Sequence, residues 1–300
     1  MNTTPNGCLL IDKPRGWTSH DVVARVRRLM GERRVGHAGT LDPMATGLLV
    51  VAVGPATRLL RYSQAQTKVY TGRIQLGIAT DSLDADGAVV GNSPVPDLSE
   101  STALAAAKEL SGDIMQTPPM VSAIQQGGRR LYDLAREGIE VERKSRPVHV
   151  ADFSVAPTDD LAVWSFRIEC SVGTYIRVLA SDWAEQIGTV GHLCELRRES
   201  SGAHLAATGW TLESLEAALG DGVQVLRTPL SMVAHLPRVV VDDTIAQRIR
   251  HGQRLALPEL AAADEGVVVD AVGDLVATVK RRDDSYQPDV VMPASDETVV

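Results

Sequence analysis

His37 and Asp42 stand five positions apart in Val35-Gly36-His37-Ala38-Gly39-Thr40-Leu41-Asp42-Pro43-Met44-Ala45-Thr46-Gly47, a glycine-punctuated segment too irregular for a helix. A rigid scaffold commonly displays its reactive groups on such loops. Spacing alone leaves the bland readings open, because an Asp before Pro is usually a turn residue and a lone His a surface or satisfied core residue. A second grouping, Thr174-Tyr175-Ile176-Arg177, follows Ser171-Val172-Gly173 and puts a phenol and a guanidinium at a strand-to-helix junction. A third, Asp81, Asp84 and Asp86, invites a calcium reading. That reading is rejected, since a full calcium loop needs a Glu at its twelfth position and Gly and Val occupy that region. Three cysteines, Cys8, Cys170 and Cys194, form no CxxC pair and no Cys/His cluster, so neither a disulfide framework nor a metal site is expected.

The 300 residues, 44% hydrophobic and 23% charged, describe a globular chain long enough for a sizeable core and more than one domain. Its formal charge of -8 would count against a nucleic-acid partner if charge were spread evenly. It is not. Lys13, Arg15, Arg25, Arg27, Arg28, Arg33, Arg34, Arg58 and Arg61 crowd the first fifth of the chain, and much of the acidic excess lies in the last third. One basic surface suited to RNA is consistent with that asymmetry. The start, MNTTPNGCLL, lacks a basic flank before a long apolar stretch, and no later segment has the length of a membrane span. A cytoplasmic protein without membrane contact is the expectation.

The elements that must position these residues are legible in part. Cys8 to Ile11 reads as a strand closed by the turn Asp12-Lys13-Pro14-Arg15-Gly16. A helix capped by Ser19 and ended by Gly31 follows, with Val22, Val23, Val26, Leu29 and Met30 on one face. The loop carrying His37 and Asp42 leads into a strand from Leu48 to Val53. Residues 68–78 suggest another strand, Asp86-Gly87 a tight hairpin, and 102–110 a helix; paired prolines at 118 and 119 then favour an extended path. Between Gln125 and Pro147 mixed charge suggests a surface excursion with a helical centre at 131–137. Trp164, Phe166, Ile168 and Cys170 share one strand face, 178–187 has helical periodicity, and 212–219 forms a further helix. From Val239 a strand, a short helix (245–250) and β runs at 267–272 and 275–279 imply a small β-rich unit after Leu230.

Taken as wording rather than spacing, the segment from Gly36 to Leu49 closely resembles the signature around the catalytic aspartate of the TruB family of tRNA pseudouridine synthases. The resemblance continues in order. Asp12-Lys13-Pro14 with Gly16-Trp17-Thr18-Ser19, Lys68-Val69-Tyr70, the stretch 118–123, the stretch 129–138, Cys170 to Arg177 and His192 to Arg198 all look like family motifs, covering about residues 9 to 210. The implied fold is α+β, a pseudouridine-synthase catalytic domain with a mixed, mainly antiparallel sheet flanked by helices. It would span 1–230, include an RNA-binding thumb at about 122–148, and be followed at 231–300 by a small PUA-like domain.

The implied activity is cofactor-independent isomerisation of uridine 55 in the T loop of tRNA, after base flipping. Asp42 would be the catalytic carboxylate, Arg177 its salt-bridge partner keeping it charged, Tyr70 the stacking ring, and Tyr175 a phenol beside C5. His37 would brace the space left by the extruded base, and Leu196 would pack on the uracil. Lys13, Arg129 and Arg130, with the Arg25 to Arg34 cluster, would hold the RNA, while Arg197 and Arg198 would order a loop or touch phosphate. No metal, no cofactor and no protein partner is implied, and a monomer is expected. The rival readings are an RNA-binding tRNA-folding chaperone with little or no catalysis, and a guide-RNA-dependent relative of the same superfamily.

Overall fold

The computed structural model describes residues 5–122, 125–126, 128–130, 137, 139 and 141–294. Its chain runs β1 (Gly7–Lys13), α1 (Ser19–Met30), β2 (Val35–His37), β3 (Thr46–Val53), α2 (Leu60–Gln64) and β4 (Lys68–Leu76). Next come β5 (Ile78–Thr80), β6 (Val89–Asn92), α3 (Glu100–Glu109), β7 (Gly112–Gln116), β8 (Gln125–Gln126) and β9 (Arg129–Arg130). These are followed by β10 (Arg146–Pro157), β11 (Val163–Cys170), α4 (Ile176–Gln186), β12 (Gly191–Ser201), β13 (His204–Leu205) and α5 (Leu212–Gly220). The last part holds β14 (Arg238–Val240), α6 (Asp243–Arg250), β15 (Glu265–Val269), β16 (Leu275–Arg282) and β17 (Ser285–Val291).

The main sheet has the order β1-β3-β12-β4-β11-β10-β7, with β2 beside β3 and β13 beside β12. Its pairs are antiparallel except β3 with β12. A mixed, mainly antiparallel α+β fold is therefore what this sequence builds. The Leu48 to Val53 run is apolar at every position because β3 is covered on both faces. Leu48, Val50 and Ala52 enter one core cluster, together with Cys8 and Leu10 of β1. Leu49, Val51 and Val53 enter another with Val22, Val23 and Val26 of α1 and Leu215 of α5. On β4 and β11 only one face is covered, so those strands alternate. Trp164, Phe166, Ile168 and Cys170 pack with Tyr70 and Ile74 under Ala103, Ala107, Leu179 and Trp183 of α3 and α4.

The expected α1 begins one residue earlier than its sequence signals suggested. Thr18 is the N-cap, its Oγ1 accepting from the Asp21 N–H while the Asp21 carboxylate accepts from the Thr18 N–H, and Gly31 ends the helix at φ 62°. Ser19 is buried and its hydroxyl is used elsewhere. Strands β7 and β10 lie where no strand was expected, and β10 starts at the end of the charged segment, at Arg146, and runs to Pro157. The helical centre expected at 131–137 lies outside the described residues, apart from Glu137. Asp86-Gly87 does not form a two-residue hairpin. β5 and β6 are joined by residues 81–88, because Asp84 turns inward and is buried.

After Leu230 a second sheet has the order β14-β15-β16-β17. The β run expected over 267–272 stops at Val269, where Gly273, at φ 94°, closes a turn onto Asp270 and leaves Val272 exposed. β17 was not foreseen, since Pro288 argues against a strand; it is tolerated because β17 lies at the sheet edge. This sheet shares a core with the first. Val267, Leu275, Val290 and Met292 cluster with Leu10, Leu48, Val50 and Tyr62. Tyr62 Oη donates to Asp289 Oδ2 at 2.8 Å and lies 3.0 Å from Thr278 Oγ1, while Arg61 pairs with Asp289. Among the described residues no helix is long and apolar enough to cross a membrane.

Candidate active site

The Asp42 loop joins β2 to β3, and three buried polar side chains hold it in place. Ser19 Oγ accepts from the Leu41 N–H at 2.9 Å and donates back to the Leu41 carbonyl at 3.2 Å. Lys13, fully buried, donates from Nζ to the carbonyls of Pro14 (3.0 Å), Trp17 (2.7 Å) and Pro43 (3.3 Å). Arg198, also buried, donates to the carbonyls of Leu48 (2.7 Å), Gly39 (3.0 Å) and Thr40 (3.5 Å). Gly47 fits between them only as glycine: its φ is 95°, and a Cβ there would lie 2.4 Å from the Arg198 carbonyl oxygen. The loop is thus a fixed object.

Two expectations change at this point. Lys13 was expected to reach the RNA backbone, but its ammonium is spent on three carbonyls inside the protein, and burial pulls it down to about 8. Arg198 orders the loop, as one of its two expected roles, and its burial leaves no guanidinium face for phosphate.

Arg177, at the start of α4, is brought to Asp42 from across the sheet. Its Nε lies 3.0 Å from Asp42 Oδ2 and its Nη2 3.4 Å from Oδ1. The remaining donors are engaged as well: Nη1 with the Ser82 carbonyl (2.8 Å) and the Asp84 carboxylate (3.4 Å), Nη2 with the Val121 carbonyl (2.9 Å). A planar guanidinium with five donors can serve five directions at once; an ammonium cannot. The Arg177 side chain is 5% exposed, whereas the Asp42 side chain keeps 36%. One face of the carboxylate is therefore tied down and the other is open.

The charge on Asp42 is set by competition. Desolvation pushes its carboxyl above the usual carboxylate range, Arg177 pulls it back, and the Asp84 carboxylate pushes it up again. Arg177 pulls in the expected direction, and the net shift is upward because burial is the larger effect. Asp84 is the residue that sequence reading missed. It looked like one acid of an exposed turn, yet it is 5% exposed, accepts from Ser82 Oγ and pairs with Arg177.

Tyr70 on β4 faces the same core as Leu196 and is 8% exposed, and burial raises its phenol. Tyr175 immediately precedes α4, and burial raises its phenol too. Its backbone is clamped by the Gln116 amide, with Tyr175 N–H donating to Oε1 at 2.7 Å and Nε2 donating to the Tyr175 carbonyl at 3.1 Å. Gln116 is a second support that sequence reading missed. His37 is half-buried with Nδ1 unpartnered, and it meets His20 edge-on at 5.7 Å. Burial, followed by the charges of His20 and Arg198, holds its imidazole below its ordinary value. Arg129 is exposed and pairs with Glu137; the side chain of Arg130 lies outside the described residues. Leu196 and Met44 form part of the wall of a cavity of about 540 Å³ beside the Asp42 loop, rimmed by Arg15, Arg73 and Arg197. No cluster of metal-ligating side chains occurs among the described residues.

Comparison with known proteins gives these groups a context. A model described as "TruB family pseudouridylate synthase (N terminal domain)" matches residues 27–176. The chain is 42% identical over 297 residues to tRNA pseudouridine synthase B of Thermobifida fusca (strain YX), covering 97% of this chain and 99% of that protein. To tRNA pseudouridine synthase B of Geobacillus thermodenitrificans (strain NG80-2) it is 40% identical over 272 residues, covering 88% and 90%. Among solved structures, a chain of a Cbf5-Nop10-Gar1 complex superposes with a TM-score of 0.76 at 26% identity, over 96% of this chain and 85% of that one. With the Asp42 loop inside the matched region and full-length relatives at this identity, the chain belongs to the TruB family of pseudouridylate synthases.

Proposed function

We propose that this enzyme isomerises uridine 55 in the T loop of tRNA to pseudouridine, with Asp42 as the catalytic carboxylate. The observation that carries the reading is the Asp42–Arg177 pair, a carboxylate held on one side by a buried guanidinium and open on the other. Relatives named tRNA pseudouridine synthase B support tRNA as the substrate.

The reaction breaks N1–C1′ and makes C5–C1′ within one nucleotide. As N1 leaves with the bonding electrons, positive charge develops at C1′, and an adjacent carboxylate stabilises or captures it, as in glycoside cleavage. The freed uracil turns so that C5 meets C1′; once that bond forms, C5 must lose its proton. In this reading Tyr70 holds the ring by stacking, and Tyr175 stands beside C5. Leu196 contributes apolar contact. Arg177 keeps Asp42 oriented as the RNA excludes water. His37 braces the gap left by the extruded base. Arg129, Arg130 and the Arg25 to Arg34 cluster grip the backbone.

The same reading assigns catalysis to residues 1–230, with a thumb near 122–148, and a PUA-like unit to 231–300, in a protein acting as a monomer. The test is incubation of the purified protein with an unmodified T-arm stem-loop and mapping of pseudouridine to the nucleotide. Product at position 55 with wild type and none with Asp42→Asn, at retained binding, is the expected result. Product elsewhere, or RNA remodelling without product, overturns it.

A further inference from the structure

The turn between β1 and α1 is displayed rather than packed. Arg15, Gly16 and Trp17 are all exposed, and Trp17 is the one aromatic side chain among the large exposed hydrophobic residues described. Its backbone is nevertheless fixed to the catalytic loop. The Gly16 N–H donates to the Pro43 carbonyl at 2.8 Å, and buried Lys13 joins the carbonyls of Trp17 and Pro43 through one ammonium. Among the described residues Arg15 makes no hydrogen bond or ion pair, and neither does the Trp17 indole N–H. The neighbouring cations at the same cavity are engaged, Arg197 with Asp12 and Glu199, and Arg73 with Glu195. A free cation and a wet indole, rigidly referenced to the residue after Asp42, form an unused pair of contacts next to the reaction centre.

Resting on the reading of an RNA substrate, we propose that the Arg15-Gly16-Trp17 turn is a nucleotide-binding element, in which Trp17 stacks on an unpaired base flanking the target uridine and Arg15 meets the phosphate beside it. A base pulled from a loop exposes its neighbours' faces as well as its own, and an indole offers such a face a large apolar contact without demanding a particular base. Lys13 takes part by holding the turn and touches no phosphate itself.

Trp17 also precedes a helix cap, where an apolar residue can pack on the first turn, and the test separates that role from stacking. Binding of an unmodified T-arm stem-loop is measured for wild type, Trp17→Phe, Trp17→Leu and Arg15→Gln, alongside thermal melting. The stem-loop is used intact and with an abasic residue at each position flanking the target. Trp17→Phe should bind nearly as wild type and Trp17→Leu about tenfold more weakly at unchanged melting temperature. One abasic RNA should weaken wild type by a similar factor yet leave Trp17→Leu unaffected. Arg15→Gln should lower the salt slope of binding by about one. Iodide quenching, measured in a Trp210→Phe background because Trp210 is half-buried while Trp164 and Trp183 are buried, should fall when RNA binds.

Equal losses for Trp17→Leu on intact and abasic RNAs, or no loss at all, overturn the proposal while leaving the isomerase reading intact, provided wild type still forms product. Failure of wild type to bind or convert any stem-loop overturns both. If Trp17→Leu melts early, the abasic series on wild type and Trp17→Phe decides alone: no abasic position that matters means no stacking.

Discussion

Arg177 meets Asp42 side-on, Nε to Oδ2 and Nη2 to Oδ1, while the rest of its guanidinium is held by Ser82, Asp84 and Val121. The carboxylate's orientation thus depends on a cation whose own orientation is over-determined. Arg177→Lys keeps the charge but supplies one point of attachment where the arginine supplies five donors. It should lower the single-turnover rate on saturating stem-loop by roughly 100-fold or more, while RNA affinity changes little. Rapid-quench assays with filter binding on the same preparations check both halves.

The acid limb of the pH–rate profile should lie above the ordinary aspartate range. In the proposed mechanism the ionised form of Asp42 stabilises C1′, and its carboxyl is raised by burial and by Asp84, so activity should be lost as pH falls through that raised value. Asp84→Asn removes a like charge, which should move the limb to lower pH. It also unfastens one side of Arg177, so the plateau rate should fall. A profile that moves up, or not at all, would show that Asp84 does not act on Asp42 through charge.

Ser19→Ala leaves the buried N–H and C=O of Leu41 without their shared partner. A cost of about 1–3 kcal/mol in urea unfolding is expected, with a lower rate because the loop loosens one residue from Asp42. Ser19→Thr should recover part of the stability.

Lys13→Met removes the donor for three carbonyls and should loosen both the turn and the loop. It should also change the pH dependence of stability. In the folded protein burial pulls Lys13 down to about 8, below the ordinary lysine value of 10.5, so between these values the unfolded chain binds the extra proton and stability rises with pH. That rise should be smaller in Lys13→Met. Urea midpoints collected from pH 7.5 to pH 10 on both proteins would reveal it.

Much of this arrangement could be read before any coordinates, for identifiable reasons. The one-sided alternation of Trp164, Phe166, Ile168 and Cys170 and the stripe of Val22, Val23 and Val26 are local patterns with local causes, and both strand and helix stand where they pointed. The glycine-rich wording around Asp42 reflects real constraints, such as the positive φ of Gly39 and Gly47. What stayed hidden was long-range. Lys13 and Arg198 look like surface cations until tertiary structure closes over them, and Asp84 looks like a turn acid until Arg177 arrives from the other end of the domain. β10 was concealed because only Val148, Val150, Phe153 and Val155 of it are buried, among exposed polar, proline and alanine positions, and β17 by Pro288.

The shared interior beneath β3 has a bearing on how the enzyme comes into being. Leu48 and Val50, a few residues past Asp42, are covered in part by Leu275, Val290 and Met292, which are the last of these to leave the ribosome. A nascent chain that has only reached its two hundred and thirtieth residue carries Asp42 and Arg177 yet leaves one face of β3 uncovered. Chains shortened before β15 therefore expose apolar surface and should be chaperone clients.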